Sequence, residues 1–592
     1  MSAIVTGLGI VCAIGNDAAG VLSSLQAERT GIGPMHYLQS THKELPVGEV
    51  KLSDEEMKRM LGQDERAVIS RTVLMGAIAI RQALEQAQVP VQGKRIAVIS
   101  GTTVGGMDIT ERYFMRMKED DALLPLLEKH DCGSSTREMA DLAGLKDAEV
   151  CTVSTACSSA VNAIILAAEM LRNDEADIVI AGGTEALSRF HLSGFNSLMI
   201  LDKEPCRPFD KNRAGLNLGE GAAFIVLQKD TSSPKDGGEV YIRGYANRCD
   251  AFHQTASSEN GEGACLAMSE ALRMAGISPQ DIHYINAHGT GTPNNDASES
   301  AAIRRVFGEE LPPISSTKGF TGHTTSASGS IETVICILAL QNGFIPTNLG
   351  WKEPDEECIT PAPFCSPQGG RNEARMENIL CNSFGFGGND SALIISKTPA
   401  ESTSDVHSVG RMKGNLPMAG DWSVITSKEQ LKDYREYISP GEARRMGTLM
   451  KAATITSLKA LRAAGIETPD AIITATAYGM LETSEKFLVD MLENGEETLS
   501  PTLFMQSTHN TLSSAIAIRT KCHGYNVTYS QGEDSLEWAL RDARRLIASG
   551  KAKTVLVGCH DEATPAFQEF FRRMGKPVPP ELSSRSIVLS NP

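Results

Sequence analysis

Apolar runs of strand length alternate along the chain with segments of helical period. The runs RIAVISGTTVGG (Arg95–Gly106), EVCTVSTAC (Glu149–Cys157), ADIVIAGGTEA (Ala176–Ala186) and INAHGTGTP (Ile285–Pro293) each end in Gly, Thr or a polar turn. A helix-like stretch follows each of them. The alternation predicts an α/β protein, in whose sheets chemistry collects at the carboxyl ends of strands. The opening MSAIVTGLGIVCAIG lacks a basic leader region and reads as a buried strand running into a Gly turn. The pattern breaks at 399–415, which is polar and without period and predicts a linker.

Across that break the pattern repeats. Before it come RTVLMGAIAIRQAL, RIAVISGTTVGGMD, CTVSTACSSAVNAIILAAEMLRND and ADIVIAGGTEA. After it come GTLMKAATITSLKAL, AIITATAYGMLETSE, YNVTYSQGEDSLEWALRDARRL and AKTVLVGCHDEA, in the same order and of the same character. Laying Val153 on Val527 sets Gln531 opposite Cys157, although the two later strands align only after a shift of about two residues. No cysteine stands at the repeated turn in either register. The expected organisation is therefore 1–240 and 241–398 as two halves of one unit, a linker at 399–415, and 416–592 as a half-unit without the thiol.

Length and composition narrow the class. At 592 residues the chain exceeds one simple core. With 41% hydrophobic and 22% charged residues it reads as soluble and globular, and no apolar run reaches the roughly 18 residues of a membrane span. Thirteen cysteines without a CxxC pair argue for reduced thiols in a cytoplasm, with no zinc site and no disulfide scaffold. A net charge of −17, from 73 acids against 56 bases, disfavours nonspecific nucleic-acid or anionic-membrane binding. An acidic partner would need a local basic patch. No phosphate-binding or dinucleotide fingerprint follows a strand, so no metal, nucleotide or organic cofactor is expected.

Four turns carry candidate chemistry. Cys157 stands among small residues where a strand becomes a helix. His288 lies in NAHGTGTPNND, Lys318 and His323 in STKGFTGHTTSASGSIE, and NSFGFGGND is a Gly/Phe loop. Each alone is commonplace, since buried cysteines and histidines are usually structural. Together, at strand ends of one α/β unit, they make a plausible nucleophile with two imidazoles. A thiolate at the start of a helix gains from unpaired N–H groups and the helix dipole. Two neutral imidazoles can hold a thioester oxygen while negative charge develops on it. This chemistry suits acyl transfer to Cys157, followed by decarboxylation of a malonyl unit.

With those motifs stated, residues 1 to about 398 are seen to resemble the β-ketoacyl-acyl-carrier-protein synthases, the condensing enzymes of fatty acid and type II polyketide synthesis. VTGLGIV, TACSSA, PCRPFDKNRAGLNLGEGAA, AHGTGTPNND, KGFTGH and NSFGFGG occur in the family's order. The resemblance implies a thiolase-like fold, two similar halves in a five-layered αβαβα core, usually as a homodimer that takes acyl and malonyl groups from acyl carrier protein. It implies Cys157 as acyl acceptor, His288 and His323 as the malonyl-binding pair, and Lys318 as the active-site lysine with Glu299 near it. It also implies Phe386 as oxyanion-hole backbone and acyl gate. The sequence departs in FGFGGND, where the family has FGFGGTN, and in the polar run after His323.

The tail resembles the chain-length-factor-like partners that accompany ketosynthases in aryl polyene and flexirubin pathways, with Gln531 in place of the cysteine. A competing expectation makes the whole chain a noncatalytic partner or scaffold. For carrier docking the candidates are Arg59 and Arg66, assigned to the helix before RIAVIS. His509 and Cys522 are read as structural.

Overall fold

The computed structural model describes residues 3–230, 238–363, 376–400, 420–432 and 434–590. The expected linker lies almost entirely outside them. Fifteen strands are described: β1 (Ala3–Cys12), β2 (Ile96–Gly101), β3 (Glu149–Val153), β4 (Ile178–Glu185), β5 (Gly221–Lys229), β6 (Val240–Cys249), β7 (Tyr284–Asn286), β8 (Ile314–Ser315), β9 (Asn378–Gly385), β10 (Asn389–Ser396), β11 (Ser423–Ile425), β12 (Ala471–Ala475), β13 (Tyr525–Tyr529), β14 (Thr554–Glu562) and β15 (Leu582–Ser590).

They pair in the order β11-β15-β14-β12-β13-β3-β2-β4-β5-β1-β6-β10-β9-β7-β8, which is one five-strand motif used three times. In β3-β2-β4-β5-β1 the first two pairings are parallel and the last two antiparallel. The same sequence of pairings recurs in β8-β7-β9-β10-β6. It recurs again in β13-β12-β14-β15-β11. The first two sheets sandwich the helices Ser159–Arg172 and Ser328–Asn342, which pack on each other and are buried along nearly their whole length. Arg71–Ala87 and Glu262–Ala275 cover the outer faces. That is the expected five-layered arrangement.

The tail supplies only one sheet, and its sequence compensates. Its counterpart of the buried helix, Ser535–Ala548, buries Trp538, Ala539, Ala543, Leu546 and Ile547 along one face. The opposite face carries Asp534, Glu537, Arg541 and Arg544 where the first helix has SAVNAIILAAEM. A polar outer face is what a helix needs when no second sheet covers it.

The tail joins the rest edge to edge. β13 meets β3 antiparallel at Tyr529 and Val153. The Ser154 N–H donates to Thr528 O at 2.9 Å and the Ser530 N–H donates to Thr152 O at 3.0 Å. These reciprocal bonds define a local two-fold that equates Val153 with Tyr529 and carries Cys157 onto Glu533. The elbows agree. Thr155 N–H donates to Ser159 Oγ at 2.9 Å, and Gln531 N–H donates to Ser535 Oγ at 2.8 Å. Ala156 at φ 51° corresponds to Gly532 at φ 56°. Gln531 is thus the counterpart of Thr155, and the two-residue shift is the correct register at this strand and its elbow, while β2 and β12 correspond without it.

Candidate active site

Cys157 sits between β3 and the Ser159–Arg172 helix, in a turn that needs the left-handed conformation at Ala156. A non-Gly residue at positive φ is uncommon, and here it sets the sulfur one residue before the helix cap Ser158. The β9–β10 loop closes over this elbow. Ser383 Oγ donates to Cys157 O at 3.1 Å, and a Cβ at Gly385 would stand 2.6 Å from Thr155 O. This close approach explains the glycine. The Phe386 N–H faces the Cys157 sulfur.

His288 follows β7, and its N–H donates to Glu299 Oε1 at 2.9 Å; Gly289 N–H donates to Glu299 Oε2 at 2.8 Å. Asn382 donates to the same carboxylate at 3.1 Å. Glu299 therefore supports the site by bracing the His288 turn, whose carbonyl Lys318 holds. The acid paired with Lys318 is Glu332, on the buried Ser328–Asn342 helix. Lys318 Nζ also donates to His288 O at 2.6 Å and lies 3.3 Å from His288 Nδ1. An ammonium has only donors to offer, so Nδ1 accepts and the ring proton sits on Nε2.

His323 is fixed from two sides. Its N–H donates to Asn217 O at 2.7 Å and its carbonyl accepts from Gly219 N–H at 3.0 Å, which ties KGFTGH to the NLGEG segment. Its Nδ1 lies 2.9 Å from Ser328 Oγ, which lies 3.1 Å from Thr324 Oγ1. Ser326 Oγ donates to Glu185 at 2.5 Å. The polar run after His323 is therefore a set of ring and carboxylate partners. The imidazole centroids of His288 and His323 are 5.4 Å apart.

Cys157, His288, His323, Phe384, Phe386 and Asp390 line one cavity of about 370 Å³. Burial, then Lys318, holds both imidazoles well below the ordinary histidine range, so both are neutral at physiological pH. Burial pushes Cys157 up to about 12, against the pull of Lys318 and the Phe386 N–H. The resting sulfur is a thiol; desolvation outweighs the helix-start stabilisation expected from sequence. Burial, then Asp250 and Glu299, holds Asp390 well above the carboxylate range, so it faces the cavity as a neutral acid.

Arg59 is on the Asp54–Leu61 helix and pairs with Glu65, and Arg66 follows that helix in a turn. The helix before β2 is Arg71–Ala87, so the expected placement was one helix late, and neither arginine lines the cavity. Sequence reading missed Glu332, Ser328 and Asp390. An acid inside the apolar GSIETVICILAL was the available signal for Glu332. The tail also reaches the site: Asn510 Nδ2 donates to Phe386 O at 2.9 Å and Asn389 Oδ1 at 2.7 Å, and Asn389 donates to Asn526 O at 3.0 Å. The asparagine that departs from FGFGGTN is a tail contact.

Family models for the β-ketoacyl synthase N-terminal domain match residues 2–233 and, in a second form, 422–583; the C-terminal domain model matches 240–352. A 3-oxoacyl-[acyl-carrier-protein] synthase 2 from Synechocystis is 33% identical over 417 residues, 67% of this chain and 97% of the relative. The tetracenomycin polyketide synthase ketoacyl synthase alpha subunit of Streptomyces glaucescens is 32% identical over 426 residues, 68% of this chain and 98% of its own. A Xenorhabdus doucetiae ketosynthase solved with its chain length factor is 30% identical, with TM-score 0.58 over 67% of this chain and 98% of that one. The PfaC keto synthase–chain length factor is 16% identical but covers all of this chain and 78% of its own at TM-score 0.77, a likeness of fold. Among the described residues no helix is long and apolar enough to cross a membrane.

Proposed function

The chain belongs to the β-ketoacyl synthase family, and from that premise we propose that Cys157, His288 and His323 carry a decarboxylative condensation of acyl- with malonyl-acyl carrier protein. The thiol of Cys157 attacks the acyl thioester, the carrier's sulfur leaves with the cysteine proton, and an acyl-enzyme remains. Malonyl thioester then binds with its carbonyl oxygen toward the two rings. The C–CO2 bond breaks, CO2 departs, and the electron pair forms an enolate whose oxygen takes the Nε2–H bond of His288. The enolate carbon attacks the acyl carbonyl, whose oxygen faces the N–H groups of Cys157 and Phe386. Collapse expels the Cys157 sulfur as a thiolate, which takes a proton from solvent, and yields a 3-oxoacyl-carrier protein longer by two carbons. No step needs a metal or cofactor.

The observation that carries this reading is the Glu332–Lys318–His288 relay, because it fixes a neutral ring with its proton on the nitrogen away from Lys318. Mass spectrometry of the full chain after incubation with acyl-carrier protein tests it: an acyl adduct on Cys157, discharged on adding malonyl-carrier protein, is expected. No adduct would favour the second reading, a noncatalytic chain-length-factor-like partner.

For the tail we propose the partner role within the same chain. β13 covers the β3 edge, so a homodimer of the kind implied by the resemblance must use another face. The reading keeps the enzyme in the cytoplasm, where thiols stay reduced, and the twelve described cysteines are free. An aryl polyene or polyketide product is favoured over a housekeeping one by the fused tail.

A further inference from the structure

A second cavity, of about 280 Å³, opens at the junction of the tail with the body, away from Cys157. It lies beside the tail's own elbow. There Asp561 accepts from Thr476 Oγ1 and Ala477 N–H, both at 2.8 Å. Glu185 holds Thr102 Oγ1 and Thr103 N–H in the same way at 2.8 Å beside the Cys157 elbow. The tail has thus kept the framework of a site after placing Glu533 at the nucleophile's position.

The cavity has two ends. Leu127, Leu481, Phe567 and Phe571 form an apolar end, with Phe567 packed edge-on to Tyr478 at 5.1 Å. His130, Asp131 and His509 form a polar end. Burial lowers both histidines to about 4, so neither offers a positive charge. Asp131 and Asp561 are raised by burial to about 6 and are mostly ionised at neutral pH. The Tyr478 hydroxyl is raised by burial and then by Asp561, Asp131 and Glu533. His509 Nε2 is 3.9 Å from Cys132 Sγ. Its Nδ1 is buried and lacks a bond of ordinary geometry, although the Thr103 backbone approaches the ring.

An anion would meet carboxylates and no cation among the described lining residues, whereas a neutral head could bond to imidazole or carboxylate while its chain lies against the phenylalanines. We propose that this junction cavity is a second, non-covalent binding site for an uncharged amphipathic molecule, an aliphatic or aryl alcohol by chemical class. The inference does not depend on the condensation chemistry. Because the site is built from both the body and the tail, its ligand ties the two together and raises the melting temperature.

The test uses the full chain with 1-octanol and octanoate at matched concentrations. Octanol is expected to give a saturable rise in melting temperature that octanoate does not. Ala477→Phe, which fills the cavity, should abolish the rise while leaving condensing activity at the wild-type level. No rise, an equal rise with octanoate, or a rise retained in the variant would overturn the proposal. Should the variant fold poorly, wild-type crystals soaked in 8-bromo-1-octanol decide the matter. Anomalous density between Leu481 and Phe567 supports the site, and density only beside Cys157, or none, overturns it.

Discussion

Lys318 holds His288 twice, at its carbonyl oxygen (2.6 Å) and at Nδ1 (3.3 Å), while ion-pairing with Glu332. Both ends of the pair are buried, so the lysine cannot be removed without stranding a carboxylate. Lys318→Met should therefore destabilise the fold by about 3–5 kcal/mol. It should also cut malonyl decarboxylation by about 10²–10³-fold, because the ring loses the partner that sets its tautomer. Acylation of Cys157 needs no such ring and should be affected far less. Separate assays of adduct formation and CO2 release check this; equal losses in both would refute the division of labour.

Burial holds the Cys157 thiol near 12, far above the usual cysteine value. Below that value the thiolate fraction rises about tenfold per pH unit. Alkylation of Cys157 by iodoacetamide should therefore steepen steadily between pH 7 and 9 without a plateau. A plateau below pH 8, followed by peptide mass mapping, would show a preformed thiolate instead.

The elbow at Cys157 and the echo of the first half in the tail were legible because small residues and alternating runs are local properties. The register of the repeat was not. Val153 and Tyr529 occupy equivalent buried places across the local two-fold, and matching by residue type drew Val153 to Val527. The acid that ion-pairs with Lys318 was also not found. Glu299 is nearer in motif to the histidine turn, but only the packing of two buried helices between sheets brings Glu332 to the ammonium. The helix of Arg59 was misassigned for a simpler reason: the short Asp54–Leu61 helix and the Arg71–Ala87 helix follow one another closely before β2.

Asp390 is a carboxyl that folding keeps protonated, by burial first and then by Asp250 and Glu299. Its folded pKa lies above its unfolded one, so its contribution to stability is whole below about pH 4 and is lost as pH rises through the folded value. Asn cannot ionise and carries no such penalty. Asp390→Asn should therefore match wild type near pH 4 and exceed it increasingly above that, by up to about 1.4 kcal/mol per pH unit until the folded group titrates. Urea unfolding across pH 4–9 measures the difference. A constant offset would mean that Asp390 is already ionised in the folded protein.

The tail touches the chemistry through the side chain of Asn510. Asn510 holds the carbonyl of Phe386, the residue whose N–H points at the Cys157 sulfur, and it also holds Asn389. Removing it leaves the loop's glycines, Gly387 and Gly388, free to swing the Phe386 peptide. Gly387 already lies so close to the tail that a Cβ there would meet Ser514 Oγ at 2.0 Å. Loss of one such bond is worth about 1 kcal/mol, so Asn510→Ala should lower kcat roughly five- to tenfold. KM for the carrier substrates should hardly change, because Asn510 does not line the cavity. The tail would then act on rate by holding an oxyanion donor in place. If Asn510→Ala instead raises KM and spares kcat, the contact serves substrate entry and the peptide at Phe386 is held by its own loop.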